Sequence, residues 1–150
     1  MLTVIQRVSH ANVVVDQQQI AQIQQGIVAL FAVEKHDMEA NAEQLIERIL
    51  NYRIFADADD KMNLSLRDIG GGLLLIPQFT LAANTNKGNR PSFSAAAPPA
   101  SAKVLFEFAL QYAQQLHPQV ASGQFGAEMQ VSLCNNGPVT FTLSSKNKRQ

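Results

Sequence analysis

Residues 27–33, IVALFAV, are apolar at every position. A strand with one wet face alternates apolar and polar residues, whereas an unbroken run of this length suits a strand covered on both faces. The chain is therefore expected to build a sheet around this segment and to supply covering layers. The next segment provides one. Met38, Ala42, Leu45, Ile46, Ile49, Leu50 and Arg53 recur at helical spacing, with Asp37 as the candidate N-cap. A second helix is expected to start near Pro98-Pro99 and to present Val104, Leu105, Phe108, Ala109, Tyr112 and Leu116 on one face.

The remaining strands are shorter signals. Residues 2–8 and 12–15 are β-branched runs, and QQQIAQIQQG alternates up to Gly26, so three strands are expected there. LLLIPQFTL, residues 73–81, reads as a buried strand running into Pro77, which cannot donate to a ladder and so requires a bulge or an edge. Residues 129–133 and 139–143 read as a hairpin whose tip is NNGP, residues 135–138. Gly70-Gly71-Gly72 precedes a strand rather than opening a helix, so it is a turn or bulge more than a phosphate loop. ADADDK, residues 56–61, lacks the glycine and distal glutamate of a calcium loop and reads as a solvated turn. Residues 82–99 form a loop too long for a simple connector. The expectation is an α+β fold with a mostly antiparallel sheet or barrel and two packed helices. At 150 residues it is a single domain spanning 1–150, with about 145–150 as a polar tail.

Composition limits the function classes. Twelve basic residues balance twelve acidic ones, which argues against a domain that coats nucleic acid by general electrostatics and leaves room only for a local basic patch. The one cysteine, Cys134, excludes an internal disulfide and reads as a small buried residue in a reducing compartment. No apolar run approaches membrane-spanning length and the start carries no export leader, so a cytoplasmic protein without a membrane partner is expected.

No nucleophile elbow, H-E-x-x-H or P-loop is present, and His10, His36 and His117 lie far apart without ligand partners, so neither a metal nor a cofactor is expected. Three stretches remain. At Pro77-Gln78-Phe79-Thr80, interrupted pairing can free backbone N–H groups to bind an oxyanion; the alternative is an edge-strand bulge. At Gly137-Pro138, a proline follows a turn that Asn136-Gly137 would already complete, and an ordinary turn is the alternative. Lys87 and Arg90, among small polar residues, suit either phosphate contacts or a solvated loop.

PQFTL (77–81) and NNGPVT (135–140) resemble the signature motifs S-Q-F-T-L and N-x-G-P-V-T of the D-aminoacyl-tRNA deacylase family. IQRV (5–8), VEK (33–35), RIF (53–55), KMNLSL (61–66), KGNRPSFSAAAPP (87–99) and GQFGAEMQVSL (123–133) resemble further family segments in order, so the likeness spans nearly the whole chain. One position departs. Pro77 stands where the family usually has serine, so no serine hydroxyl can be carried over. A related animal subfamily that clears mischarged alanine has proline there, but it has alanine in place of Phe79; Phe79 and Val139-Thr140 group this chain with the D-specific enzymes.

The resemblance implies a homodimer that hydrolyses the ester of D-aminoacyl-tRNA, and of glycyl-tRNA, at its 3′ acceptor end. It implies that Gln78, Phe79 and Thr80 form the catalytic turn, with backbone amides near Phe79-Thr80 holding the oxyanion and Thr80 positioning rather than attacking. It implies that Gly137 and Pro138, joined by a cis bond, reach into the partner's pocket and exclude L-side chains, while the terminal ribose 2′-OH helps to activate water. Lys87 and Arg90 are the candidate tRNA contacts. A noncatalytic tRNA-binding module would be favoured by loss of Gln78, Thr80 or Gly137-Pro138, all of which are present. A purely structural dimerising β-domain leaves the 82–99 loop and the NNGP proline without a purpose.

Overall fold

The computed structural model describes residues 1–145. The expected polar tail therefore lies almost wholly outside the described residues. In chain order the elements are β1 (Leu2–Val15), β2 (Gln18–Ile23), β3 (Gly26–Ala32), α1 (Glu39–Asn51), β4 (Phe55–Ala56), β5 (Met62–Leu64), α2 (Leu66–Ile69), β6 (Gly72–Pro77), a 3₁₀ turn (Phe79–Ala82), α3 (Pro99–Leu116), β7 (Val120–Ser122) and β8 (Gln130–Ser144).

β3 is central, as its composition requires. It pairs antiparallel with β1 and parallel with β6, in the order β2-β1-β3-β6-β7, while β8 lies along the other side of β1. Alternate residues point to opposite faces of a strand. Ile27, Ala29 and Phe31 of β3 and Leu73 and Leu75 of β6 join Leu45, Ile46, Ile49, Phe106 and Ala109 in the core beneath α1 and α3. Val28, Leu74 and Ile76 point the other way and meet Val8, Ala11, Val13 and Ile23, which β1 and β2 fold over that face. The result is a nearly closed mixed sheet with helices outside it. Close approach sets one residue: a Cβ on Gly26 would lie 1.9 Å from the Gly72 carbonyl oxygen where β3 and β6 begin side by side.

At thirteen residues α1 sits near the length at which an isolated helix is marginal in water. Its stability comes from Ala42, Leu45, Ile46, Ile49 and Leu50, all fully buried. Each large aliphatic group contributes about 1.5–3 kcal/mol, more than the propensity differences among the residues of this helix. α3 starts where the Pro98-Pro99 pair placed it, with Pro99 in its first turn.

Several expectations are corrected. Residues 2–8 and 12–15 belong to one strand, because the intervening Ser9 and His10 stay extended and exposed while Val8 and Ala11 on either side are buried. Asp37 is not the cap of α1. Its carboxylate accepts from the Met1 ammonium and from the Glu34 N–H, at 2.9 and 2.7 Å. Met38 is the N-cap, and its N–H is taken by the Asn41 side chain at 2.8 Å. Arg53 lies beyond the helix. The strand expected at 73–81 ends at Pro77, which sits opposite Phe31 on one side and beyond the reach of β7 on the other, so no neighbour needs its missing N–H. The glycine run contributes Gly70 in a left-handed conformation as the C-cap of the one-turn helix α2, which the sequence reading did not anticipate. The acidic turn is a solvated one: Asp57 accepts from Asp59, Lys61 and Asn63, and those hydrogen bonds, the Asn63 side chain first, hold its carboxyl below the usual range.

The largest correction concerns residues 129–143. The two runs do not pair with each other. Both lie in β8 and both pair antiparallel with β1, from Leu2 opposite Ser144 to Val14 opposite Gln130. Between the pairs Gln6–Thr140 and Val8–Asn135, Arg7 alone on β1 faces Asn136, Gly137, Pro138 and Val139 on β8. NNGP is thus a large bulge thrown out of a continuous ladder. Cys134, expected to be buried, is exposed, because its neighbour Leu133 takes the inward face of β8.

Candidate active site

At the end of β6 the chain changes course. The Gln78 N–H makes one last sheet bond, to the Phe31 carbonyl at 2.8 Å, and the 3₁₀ turn then begins, closed by Leu81 N–H to Gln78 O at 3.3 Å and Ala83 N–H to Thr80 O at 3.1 Å. In such a turn each N–H reaches back three residues, so the first two N–H groups, those of Phe79 and Thr80, have no acceptor within it. The Gln78 side-chain amide donates to the Thr80 hydroxyl. Both Phe79 and Thr80 are exposed.

Pro77, Gln78 and Phe79 line a cavity of about 460 Å³ that is mostly apolar. Ala97, Pro99 and Ala102 close it from the start of α3, and Phe125, Met129 and Val131 from the segment before and within β8. Its walls carry no carboxylate, histidine, lysine or cysteine. His117 is buried elsewhere with a ring nitrogen 2.6 Å from the Gly71 carbonyl oxygen, and His10 sits beside the Ser9 hydroxyl. Tyr112, whose phenol is pushed up by its hydrogen bond to Glu47, faces α1. Among the described residues no group of three or more His, Cys, Asp or Glu converges to hold a metal. What this chain brings to the cavity is backbone amides, an apolar wall and the Gln78–Thr80 pair.

The loop between the 3₁₀ turn and α3 is tied at several points. Asn84 and Ser92 exchange both backbone hydrogen bonds, at 2.7 and 3.0 Å, and enclose an excursion that carries Lys87 and Arg90 in solvent. After it, Lys35 N–H bonds to Ala95 O at 2.9 Å and Ala97 N–H to Val33 O at 3.1 Å. Between these ties Phe93 packs its ring on that of Phe79, with centroids 5.1 Å apart and planes at 58°.

The bulge in β8 is held from within and from below. Asn135 donates to the Thr140 hydroxyl at 2.8 Å and accepts from the Val139 N–H at 2.9 Å. Arg7 donates to the Asn136 carbonyl at 2.9 Å and to the Ile54 carbonyl at 2.8 Å. The Gly137–Pro138 bond is cis, and Gly137 has φ +146, where a Cβ would lie 2.7 Å from Val139 Cγ2 and 3.2 Å from Arg7 Nη2. Gly137 and Pro138 are both exposed, and neither lines the cavity of the same chain. Of the expected site residues, Gln78 and Phe79 line the cavity and Thr80 adjoins them through the Gln78 amide, while Gly137-Pro138 and Lys87-Arg90 lie on other elements. The sequence reading assigned no role to Arg7, Phe93, Phe125, Met129 or Asn135. All five lie in the segments quoted for the resemblance, the signal from which they could have been found.

Comparison with known proteins gives the family and the fold. The family model described as D-Tyr-tRNA(Tyr) deacylase matches residues 4–144. Curated proteins named D-aminoacyl-tRNA deacylase are similar over almost their whole length. The one from Pseudoalteromonas translucida is 57% identical, covering 96% of this chain and 99% of its own, and the one from Stutzerimonas stutzeri is 55% identical, covering 97% and 100%. A solved structure of c-Myc DNA unwinding element binding protein superposes with a TM-score of 0.94 at 35% identity, over 98% of this chain and all of the other. A probable eukaryotic D-amino acid tRNA deacylase shares the fold alone, with a TM-score of 0.80 at 14% identity over 95% and 97%. The fold and these relatives define a hydrolase of aminoacyl-tRNA. The chain belongs to the D-Tyr-tRNA(Tyr) deacylase family.

Proposed function

We propose that this protein is a D-aminoacyl-tRNA deacylase: it hydrolyses the ester between a D-amino acid and the 3′ end of tRNA, releasing both, and works in the cytoplasm as a homodimer. The observation that carries the mechanism is an apolar cavity bordered by the Gln78–Thr80 turn, whose first N–H groups lack an acceptor within the turn. An aminoacyl ester is already activated, so orientation and two N–H groups at the developing oxyanion supply what a less reactive bond would need a triad for. The terminal 2′-OH of the tRNA helps to activate water, consistent with walls that hold no general base.

Selection for D follows from exclusion. The Gly137 and Pro138 carbonyls of one subunit face the α-amino group bound in the other, an L-side chain collides with that backbone, and a D-side chain points away. Glycine, with no side chain to collide, is also hydrolysed. Support comes from the bulge: Arg7 and Asn135 hold it by three hydrogen bonds, with Arg7 anchored by a fourth to the Ile54 carbonyl, so it resists a side chain, and it stands away from its own chain's cavity. Lys87 and Arg90 meet tRNA phosphates. A chain of zero net charge has no cationic sheath for duplex DNA, so the likeness to a DNA-binding protein does not redirect this reading.

The test is deacylation of D-tyrosyl-tRNA and L-tyrosyl-tRNA side by side. Release from the D-ester with the L-ester intact is expected. Equal release from both would remove the screen, and release from neither would remove the activity.

A further inference from the structure

We propose that Phe93 is a positioning residue for hydrolysis, acting through Phe79 to fix the catalytic turn. This rests on the reading of that turn given above. The turn is short, and the Leu81 N–H to Gln78 O bond that opens it, at 3.3 Å, is long for a hydrogen bond, so it needs outside support. Phe79 has 56% of its surface exposed, and for a large apolar ring at the first position of the turn that is little anchorage. Its ring packs on that of Phe93, with centroids 5.1 Å apart. Tilted ring pairs at this separation attract beyond the area they bury, which favours one rotamer and one backbone setting. Phe93 is itself anchored on both sides, by the paired bonds between Asn84 and Ser92 before it and by the Ala96 N–H to Phe93 O bond at 3.1 Å after it.

This arrangement makes the loop a brace. Its far end carries Lys87 and Arg90, its near end carries Phe93, and the ring sits on the residue whose N–H opens the turn. Loss of the ring leaves both N–H groups chemically intact and lets their direction drift. A drift of about an ångström in a pre-organised site lowers turnover by up to about 10²-fold while leaving distant binding contacts in place.

Steady-state kinetics on D-tyrosyl-tRNA test the assignment with the full-length dimer. Phe93→Ala is expected to lower kcat by roughly 10–100-fold with KM unchanged, and Phe93→Tyr, which keeps the ring, to restore it. The decisive comparison is Phe79→Ala with and without Phe93→Ala. If Phe93 acts through Phe79, the second substitution adds nothing once the first is made. Fold-losses that multiply in the double variant would overturn the proposal, as would an unchanged kcat, a change in KM alone, or a Phe93→Tyr defect equal to that of Phe93→Ala. Inactivity of the wild-type protein on every D-aminoacyl-tRNA would instead fail the underlying reading, so the two failures are distinct.

Discussion

At the start of the 3₁₀ turn the useful atoms of Thr80 are its N–H and its hydroxyl, and a single substitution separates them. The hydroxyl already accepts from the Gln78 amide, and no base lines the cavity to activate it as a nucleophile. Thr80→Ala keeps the N–H and is expected to retain measurable turnover, reduced by roughly tenfold, whereas loss of a nucleophile would cost far more. Single-turnover kinetics check this, and a trapped acyl-threonine would overturn it. Asp37 poses a similar choice for stability. As a helix cap its loss would cost about 1 kcal/mol. As the 3% exposed partner of the Met1 ammonium its loss leaves that charge with Glu34 alone, and breaking a buried pair costs about 3 kcal/mol. Urea denaturation of Asp37→Ala should show the larger loss at an unchanged m value; a loss near 1 kcal/mol would mean that the ion pair with the Met1 ammonium contributes little.

Among the elements, β3, α1 and α3 were legible because burial and periodicity write themselves into residue type: seven apolar residues for the strand, stripes at helical spacing for the helices. The β8 bulge was not. Two apolar runs joined by Asn-Asn-Gly-Pro are the local signature of a hairpin, and nothing local says that a third strand, β1, will pair with both. That is a long-range choice. It is made where Arg7 bonds Asn136 across the ladder, a contact between residues 129 positions apart that no spacing rule reaches. The 3₁₀ turn was only half legible: Pro77 marked an interruption of pairing by chemistry alone, but the strand was expected to run on to Leu81. The cavity was not, because its walls come from β6, α3 and the segment 125–131 together. The bulge carries its own prediction. Asn135 supplies two of its hydrogen bonds, each worth about 1 kcal/mol, while ladder pairs on both sides hold the strand. Asn135→Ala should therefore lower stability by only about 1–2 kcal/mol yet depress the D-to-L ratio of activity, measured in paired deacylation assays. A ratio equal to wild type would mean that the bulge screens nothing.

For the molecule as a whole, β8 pairs with β1 alone among the described residues, so a fifteen-residue strand keeps one unpaired edge. Such edges are covered or blunted in native proteins, and the exposed bulge at Gly137-Pro138 sits on this one. Within a single chain that bulge and the Gln78–Thr80 cavity belong to separate places. A site that needs both is completed only by a second copy, and a two-fold dimer then contains two identical composite sites. Complementation tests this directly. Gly137→Ala, which sets a Cβ against Val139 and Arg7, damages the bulge and spares the turn; Gln78→Ala damages the turn and spares the bulge. Each homodimer should be close to inactive. If the proteins are unfolded and refolded together in equal amounts, half of the dimers are mixed, and each mixed dimer pairs one intact turn with the other subunit's intact bulge. About a quarter of wild-type activity per site should return. If instead each site is built within one chain, every chain in the mixture carries one defect and no activity returns. Sedimentation of the refolded mixture confirms that dimers formed, and a fully folded mixture without recovered deacylation would overturn the cross-subunit site.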